Sequence, residues 1–294
     1  MTNDIPRRKD GGIKWSFRPT TEDELKACLN DPLWRICSGA LYKIIIKGDD
    51  KKEKKGDDKK KQKEDLVVFF RPNRPQRRLL ANLWHRNVIL KARQLGFTTE
   101  VCIIQLDAAL FGRKHCALIA HTRPDAERLF RNKTKYAYER LPDEIKEMNP
   151  VSKETTSELV FSKGGSVTVS TSFRGGTLYS LHVSEFGKIC AKYPDKAREI
   201  VTGAFEAVPL GGKITLESTA EGKSGYFYNY CQESEKLQLQ GKTLSALDFK
   251  FFFFSWWKNQ DYSLPVTTEI PQRLKDYFAE LKAKHNINTT PEQQ

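Results

Sequence analysis

The sequence lacks paired cysteines, a long hydrophobic run and a histidine cluster, and each absence excludes a class of protein. Its six cysteines are far apart, without the close pairs that form zinc sites or the framework of a disulfide-rich domain. No apolar run is long enough to span a membrane, and no secretory leader is visible. The histidines form no metal-binding pattern. We therefore expect an intracellular, soluble protein with reduced thiols and no membrane partner.

The chain carries an excess of positive charge. Its 294 residues include 50 Lys and Arg against 37 Asp and Glu, which gives a net charge of +13. Such an excess favours a polyanionic partner, nucleic acid first. Residues 48–65 are almost all charged and cannot bury apolar area, so we predict a disordered loop at the tip of a hairpin. A role of this loop in contacting DNA is the less favoured interpretation, because its acids and bases nearly balance.

Short apolar runs alternate with helical segments along the chain. This alternation predicts an α/β fold with a mostly parallel sheet flanked by helices. The predicted strands cover residues 41–47, 66–70, 87–90, 116–121, 158–161, 166–171, 178–183 and 213–217, and an aromatic run covers 249–254. The predicted helices cover residues 21–29, 97–111, 124–141, 194–208 and 226–237, the first opened by a capping box of Thr21 and Glu24.

Residues 91–99 form a phosphate-loop pattern in which the lysine has moved. In the pattern G-x-x-x-x-G-K-[ST], Lys91 stands at the first glycine and Phe97 at the usual lysine, while Gly96 and Thr98 keep their places. A strand precedes the loop and a helix follows it, so free amides and the helix dipole would face an anion. A lysine at the end of the strand can reach the same phosphate oxygens. We predict nucleotide binding here; an ordinary strand-to-helix connection is the alternative.

A second candidate site follows the strand at 178–183. In phosphate-loop ATPases such a strand delivers two acids, the first holding magnesium and the second activating water. Here Ser184 replaces the first acid and can still bind a magnesium-bound water, and Glu185 keeps the carboxylate that a general base needs. A surface glutamate at the end of a strand is the alternative interpretation.

Five further side chains are candidates for binding or coupling. The amide of Gln76 both donates and accepts, so it can match adenine. The hydroxyls of Ser218 and Thr219 end a core strand and can sense a γ-phosphate. Arg93 and Arg174 are candidate transition-state cations. A polar residue that opens a helix, a plain loop and surface arginines are the respective alternatives.

In this order the motifs resemble the ATPase domain of tailed-phage large terminases, the motors that pump DNA into procapsids. The resemblance extends from about residue 33 to the C-terminus. The motifs that carry it are Asn73-x-x-Gln76, residues 91–99, residues 181–186, residues 218–222, and the aromatic run 252–257 followed by Tyr262.

The resemblance implies a P-loop NTPase of the RecA-like class with a small lid subdomain, and ATP and Mg²⁺ as cofactors. Glu185, Lys91 and Arg93 would be catalytic. Thr98 would ligate magnesium directly and Ser184 through water. The phosphate-holding residues would be Lys91, Ala92, Arg93, Gln94, Leu95, Gly96, Phe97, Thr98 and Thr99. Gln76 would read adenine, Ser218 and Thr219 would couple hydrolysis to movement, and Arg174 would be a second candidate arginine finger.

The resemblance also implies domains and partners. Residues 1–70 would form an N-terminal arm with a helix and hairpin, 71–257 the ATPase core, and 258–294 a lid or linker toward a nuclease domain that family members carry. We expect no nuclease activity in this chain and regard it as part of a longer protein. Double-stranded DNA, a portal protein, a small terminase subunit and further copies in a ring would be its partners, in the host cytoplasm and transiently on the procapsid.

Two other functions remain open. A helicase-like DNA translocase would need a second RecA-like domain, for which the residues after Trp257 are too few. A non-hydrolysing DNA-binding or scaffold protein with a decayed nucleotide site is compatible with Ser184 and Phe97 at their unusual positions.

Overall fold

The computed structural model describes residues 5–46 and 66–294, and the predicted charged loop at 48–65 lies outside them. In these ranges the strands form a hairpin and an eight-stranded sheet. The hairpin is β1 (Lys43–Ile46) and β2 (Leu66–Phe69). The sheet contains β3 (Arg86–Lys91), β4 (His115–Ile119), β5 (Val151–Glu154), β6 (Glu158–Phe161), β7 (Ser166–Ser170), β8 (Ser180–Ser184), β9 (Lys213–Ser218) and β10 (Phe249–Phe254).

The order of the sheet is β10-β3-β9-β8-β4-β7-β6-β5. The strands from β10 to β7 are parallel, and β6 and β5 extend them as antiparallel strands. The central strands are apolar because helices cover both faces of a parallel sheet; Ile89, Leu181 and Ile214 are fully buried. The predicted α/β fold is confirmed. Strand β9 lies between β3 and β8, so the ends of these three strands are neighbours in the sheet.

Helices flank this sheet. Two predicted helices, at 124–141 and 194–208, are wrong as uninterrupted α-helices, because π-helical turns at Phe130–Lys135 and Ile200–Ala204 break them. A π-turn changes the hydrogen-bond register without changing residue type, so the apolar pattern does not reveal it. The α-helices are α1 (Glu22–Leu29), α2 (Pro32–Cys37), α3 (Arg74–Leu80), α4 (Phe97–Leu110), α5 (Arg123–Leu129), α6 (Tyr136–Glu139), α7 (Asp143–Met148), α8 (Phe186–Lys192), α9 (Pro194–Glu199), α10 (Gly225–Leu239) and α11 (Gln272–His285).

The segments before and after the sheet are fixed by local contacts. The predicted capping box is confirmed, since Thr21 and Glu24 exchange hydrogen bonds at the start of α1. The strands β1 and β2 pair antiparallel, as predicted for a hairpin. At the other end of the chain, Gln293 donates hydrogen bonds to the carbonyls of Trp257 and Asn259. The C-terminal residues therefore fold back onto the segment that follows β10.

The cysteine side chains are free thiols, as predicted. Five are buried and Cys190 is partly exposed. Burial raises the pKa of Cys102 and Cys116 to about 12, so these thiols stay protonated and unreactive. Among the described residues no helix has the length and apolar character needed to cross a membrane.

Helix α4 buries a carboxylate without a partner among the described residues. Glu100 is fully buried, and neither of its oxygens accepts a hydrogen bond there. Burial raises the pKa of Glu100 well above its usual value, because ionisation would place a charge in an apolar environment. The folded protein therefore keeps this carboxyl protonated at pH values where the unfolded chain has ionised it.

We predict that Glu100→Gln raises the melting temperature near neutral pH but not near pH 4.5, the ordinary pKa of the group. Because the folded pKa is raised, the stability of the wild type falls above the unfolded pKa, by up to about 1.4 kcal/mol per pH unit, until the folded pKa is reached. Glutamine removes this loss. Thermal melts of both proteins across this pH range test the prediction, and an equal gain at every pH would attribute the effect to packing instead.

Candidate active site

The predicted phosphate loop joins β3 to α4 over residues 92–96. Gln94 (φ 58°) and Gly96 (φ 79°) have left-handed backbones. A Cβ on Gly96 would also lie 2.8 Å from Gln76 Nε2, so backbone and packing both favour glycine there. No side chain caps the first turn of α4. Its amide donors and the positive end of the helix dipole therefore favour an anion such as phosphate.

Lys91 ends β3 and points into a pair of carboxylates. Its Nζ lies 3.3 Å from Glu185 Oε1 and 3.0 Å from Glu217 Oε2. The side chain is only 8% exposed. Burial by itself lowers the pKa of Lys91, but the two carboxylates outweigh it and raise that pKa above its usual value. The ammonium is therefore charged at any physiological pH and lies between the two acids; its predicted role in holding phosphate stays a prediction.

Phe97, at the position where a lysine is usual, faces the core. Its ring centroid lies 4.5 Å from that of Phe254, and Leu95 joins the same buried cluster. The amide of Ala92 donates to the carbonyl of Phe254 at 2.8 Å, which ties the loop to β10. Thr99 is also buried. These contacts explain how the loop keeps its shape without a lysine in the helix.

Glu217, on β9, lies among the candidate site residues although the sequence analysis did not single it out. It is fully buried, and its Oε1 accepts hydrogen bonds from Thr98 Oγ1 at 2.5 Å and Ser184 Oγ at 2.9 Å. His182 Nε2 lies 3.4 Å from the same oxygen. Burial by itself raises the pKa of Glu217, but the Lys91 ammonium, with His182 and Thr98, more than offsets this and holds the pKa well below its usual range. The carboxylate is therefore ionised.

A local signal for Glu217 exists, namely an acid that follows the buried apolar residues Ile214 and Leu216 and comes directly before Ser218 and Thr219. A buried charge needs a partner, and the parallel register supplies it: β9 lies next to both β3 and β8. The register is a tertiary property, and the strand sequence by itself does not give it.

Glu185 lies where β8 ends and α8 begins. Its backbone is left-handed (φ 54°), a conformation that costs roughly 1–2 kcal/mol for a residue with a Cβ. The side chain is 34% exposed, so it reaches both the pocket and solvent. Oε1 pairs with Lys91, and Ser218 Oγ donates to Oε2 at 3.5 Å. Strain at a polar, partly exposed side chain is typical of functional positions.

The predicted coupling residues lie against the helix that follows Glu185. Ser218 is fully buried, and Thr219 comes directly after it. A Cβ on Gly187 would lie 2.8 Å from Ser218 Oγ and 3.1 Å from the carbonyl oxygen of Thr219. Glycine thus lets α8 approach the end of β9 closely. A change at Glu185 therefore has a short path to β9, and the coupling role stays a prediction.

Gln76 is buried beneath the loop. Its Oε1 accepts from the amide of Asn73 at 2.9 Å, and its Nε2 donates to the carbonyl of Gly96 at 2.9 Å. Each end of the amide keeps one unused hydrogen-bonding position. Recognition of adenine through those positions remains a prediction, and the observed contacts give Gln76 a structural role in holding the loop.

The two candidate arginines differ in their surroundings. Arg93 is exposed on the loop, and its carbonyl accepts a hydrogen bond from the hydroxyl of Tyr262. Arg174 Nε donates to Glu199 Oε1 at 2.9 Å on the surface. The described contacts place Arg93 at the phosphate loop and join Arg174 to α9. Either role as a finger stays a prediction. Tyr262 is a second residue whose contact with the loop the sequence did not reveal.

The sheet order and the burial of the central strands define an α/β protein with a mostly parallel sheet, and the candidate site lies where β3, β8 and β9 end. No family model matches the sequence, and no curated protein matches it.

Solved structures similar to this chain are phage large terminases. The ATPase domain of the Thermus phage P74-26 large terminase is 16% identical, with 73% of this chain and 89% of that domain covered and a TM-score of 0.47. The large terminase of bacteriophage HK97 is 15% identical, with 71% and 42% covered and a TM-score of 0.45. The large terminase of a thermophilic bacteriophage, in complex with ATP-gamma-S, is 12% identical, with 67% and 44% covered and a TM-score of 0.37. The likeness concerns the fold, and the chain spans less than half the length of the last two proteins.

Proposed function

We propose that this chain is the ATP-hydrolysing motor domain of a viral large terminase that moves double-stranded DNA into procapsids. One observation carries the proposal: Lys91, which directly precedes the predicted phosphate loop, places its ammonium 3.3 Å from Glu185 and 3.0 Å from Glu217. A cation beside two acids, next to such a loop, supplies the charges that phosphoryl transfer requires.

ATP and Mg²⁺ fit the residues present. The loop, in which Gln94 and Gly96 have left-handed backbones, would hold the phosphates together with the uncapped first turn of α4 and Lys91. The hydroxyl of Thr98 is the magnesium ligand in the P-loop pattern, and its proton is already given to Glu217. Its oxygen lone pairs are therefore left for a cation. Magnesium, when bound, would neutralise charge on the transferred phosphoryl group.

Glu185 would act as the general base. Its carboxylate is held by Lys91 and Ser218, and Lys91 must leave it to reach a phosphate. Glu185 would then be free to accept a proton from the attacking water. Arg93, exposed on the loop, is one candidate for the cation that stabilises the transition state, and Arg174 is the other.

Coupling and partners extend the proposal. Ser218 donates a hydrogen bond to Glu185. A change in the charge or position of Glu185 would therefore alter a contact at the end of β9, directly before Thr219. The net charge of +13 favours DNA as the polymer that is moved. A ring of copies on a portal, with a small terminase subunit, in the host cytoplasm, completes the proposed setting.

The chain would divide into three segments. Residues 71–257 would be the ATPase core, 1–70 its N-terminal arm, and 258–294 a lid or linker. The hydrogen bond from Tyr262 to the loop supports the idea of a lid. No nuclease activity is proposed for these residues.

We predict that the wild type hydrolyses ATP in the presence of Mg²⁺ and is stimulated by double-stranded DNA, whereas Glu185→Gln binds ATP but turns over about 10²–10⁴-fold more slowly, since a general base contributes that much. Steady-state phosphate release measures turnover, and equilibrium binding of labelled ATP measures occupancy. Glu199→Gln, which releases Arg174 from its surface ion pair, tests that arginine. Glu158→Gln, whose carboxylate pairs with Lys153 at the antiparallel edge of the sheet, is the matched control.

Unchanged turnover in Glu185→Gln would reject the assigned base. A wild type that hydrolyses nothing with or without DNA, yet binds DNA, would favour the scaffold alternative. Stimulation by DNA is the readout that separates a translocating motor from a simple ATPase.

A further inference from the structure

Where P-loop ATPases carry their magnesium-holding acid, at the end of the strand before the base, this chain has Ser184. The parallel register of β8 and β9 pairs Ser184 directly with Glu217. The carboxylate is thus displaced by one strand at the same level of the sheet. Ser184 Oγ donates a hydrogen bond to Glu217 Oε1 at 2.9 Å, so the serine orients the carboxylate on the neighbouring strand.

We propose, as an extension of the function proposed above, that Glu217 is the magnesium-binding carboxylate of this site, acting through the water shell of the metal. Its residue type, its burial and its distance to Thr98 support this role. The hydroxyl that would ligate the metal donates to Glu217 Oε1 at 2.5 Å. An acid that orients this hydroxyl and neutralises the cation beside it is what the phosphate loop needs.

The second oxygen of Glu217, Oε2, gives independent evidence for a ligand. Oε2 is buried and accepts no aligned hydrogen bond from any residue in the described ranges; its contact is the ion pair with Lys91 at 3.0 Å. The same ammonium is the group that must turn to the phosphates. When it leaves, a buried carboxylate oxygen loses its compensating charge, which is costly. A hydrated dication replaces the charge, and the waters in its shell supply the hydrogen bond that Oε2 lacks.

The acids at this site do not form a complete set of metal ligands by themselves. In the part of the chain that the structure describes, no three His, Cys, Asp or Glu side chains come together as a metal site. Mg²⁺ in nucleotide sites typically uses one or two protein oxygens, with phosphates and waters as the remaining ligands. Thr98 and Glu217 fit that mode, so the metal would bind only together with the nucleotide.

The test is the ratio of ATPγS dissociation constants in EDTA and in Mg²⁺, measured by calorimetry on the whole chain. Glu217→Gln should reduce this ratio by about 10- to 100-fold, the usual effect of losing a residue that orients metal ligands. Affinity in EDTA should be kept or increased, because Lys91 loses a competing partner. A purely structural role would weaken binding equally in both conditions.

A relocation variant and a matched control sharpen the test. Ser184→Asp combined with Glu217→Gln moves the carboxylate to the paired position on β8 and should restore most of the magnesium dependence. Glu100→Gln makes the same substitution at a buried carboxyl on α4 that is not ionised, so it controls for a changed buried side chain without loss of charge and should leave the ratio unchanged. If Glu217→Gln does not fold, Glu217→Asp decides, because it keeps the buried charge but draws the carboxylate back from Thr98 by one methylene; the ratio should fall, and a ratio equal to that of the wild type would overturn the proposal.

The outcomes separate this inference from the function on which it rests. A wild type that binds ATPγS more tightly with Mg²⁺, and a Glu217→Gln variant that keeps the full ratio, would overturn the role of Glu217 and leave the nucleotide site standing. A wild type that does not bind ATPγS in either condition would overturn both.

Discussion

Lys91→Met is expected to abolish nucleotide binding and to lower the free energy of unfolding by about 3–5 kcal/mol, because it leaves a buried carboxylate without its cation. The affected acid is Glu217, which is fully buried and pairs with Lys91 at 3.0 Å. Glu185 matters less for stability, since its side chain is 34% exposed and water screens its charge. Urea denaturation and ATPγS binding measure the two effects separately.

The pH dependence of this loss has a definite sign. In the wild type the pKa of Glu217 is lowered, so its stabilising contribution is present above the unfolded pKa and is lost as pH falls. Without Lys91, burial dominates and raises that pKa. The deficit of Lys91→Met should therefore be largest at neutral pH and should shrink as pH falls toward 4.5, the ordinary pKa of the carboxyl.

The double variant Lys91→Met with Glu217→Gln separates stability from function. It removes the buried charge together with its partner, so most of the lost stability should return. Nucleotide binding should not return, because the cation is still absent. If Lys91→Met bound ATPγS as tightly as the wild type, the displaced lysine would have no role in the site, and the assignment of the phosphate loop would be wrong.

The sequence was informative wherever function depends on one local segment. Residues 87–90 were predicted as a buried strand and form the centre of β3 (Arg86–Lys91), because buried parallel strands are continuous apolar runs. The end of this strand fixes where Lys91 lies, and the end of β8 does the same for Glu185. Both residues were identified from the order of strand, loop and helix.

The sequence was less informative where residues meet across the sheet. In the sequence Glu217 is an acid next to the apolar residues of a strand, without a visible partner. Its partners Lys91 and Ser184 become evident only from the position of β9 between β3 and β8. Tyr262 reaches the loop from a distant segment, which no periodicity encodes. The helix α8 was missed for another reason: it begins directly after a left-handed Glu185, without the usual capping residues.

The buried salt bridge between Arg35 and Asp107 has the second largest expected effect. Arg35 on α2 donates two hydrogen bonds to Asp107 on α4, at 2.8 and 2.6 Å, and both side chains are buried. Tyr42 donates to the same carboxylate at 2.7 Å. Burial outweighs these partners and raises the pKa of Asp107, so the desolvation cost of the ion pair is large.

We predict that Arg35→Met alone lowers the free energy of unfolding by about 3–5 kcal/mol, because it leaves Asp107 buried and unpaired. Replacing all three polar partners, as Arg35→Met, Asp107→Leu and Tyr42→Phe, should recover most of that loss, since the buried carboxylate is removed with its donors and only the partly buried carbonyl of Leu29 loses a hydrogen bond. Denaturant unfolding of the single and triple variants gives both values.

The triple variant also tests whether the N-terminal arm influences the site. Asp107 lies on the same helix as Thr98, so the network joins the arm to the helix that follows the phosphate loop. If the polar network only stabilises the fold, the triple variant should bind ATPγS like the wild type. A recovered stability with weakened binding would instead show that hydrogen bonds from the arm hold α4 in the position that the loop requires, which an apolar contact of similar size does not reproduce.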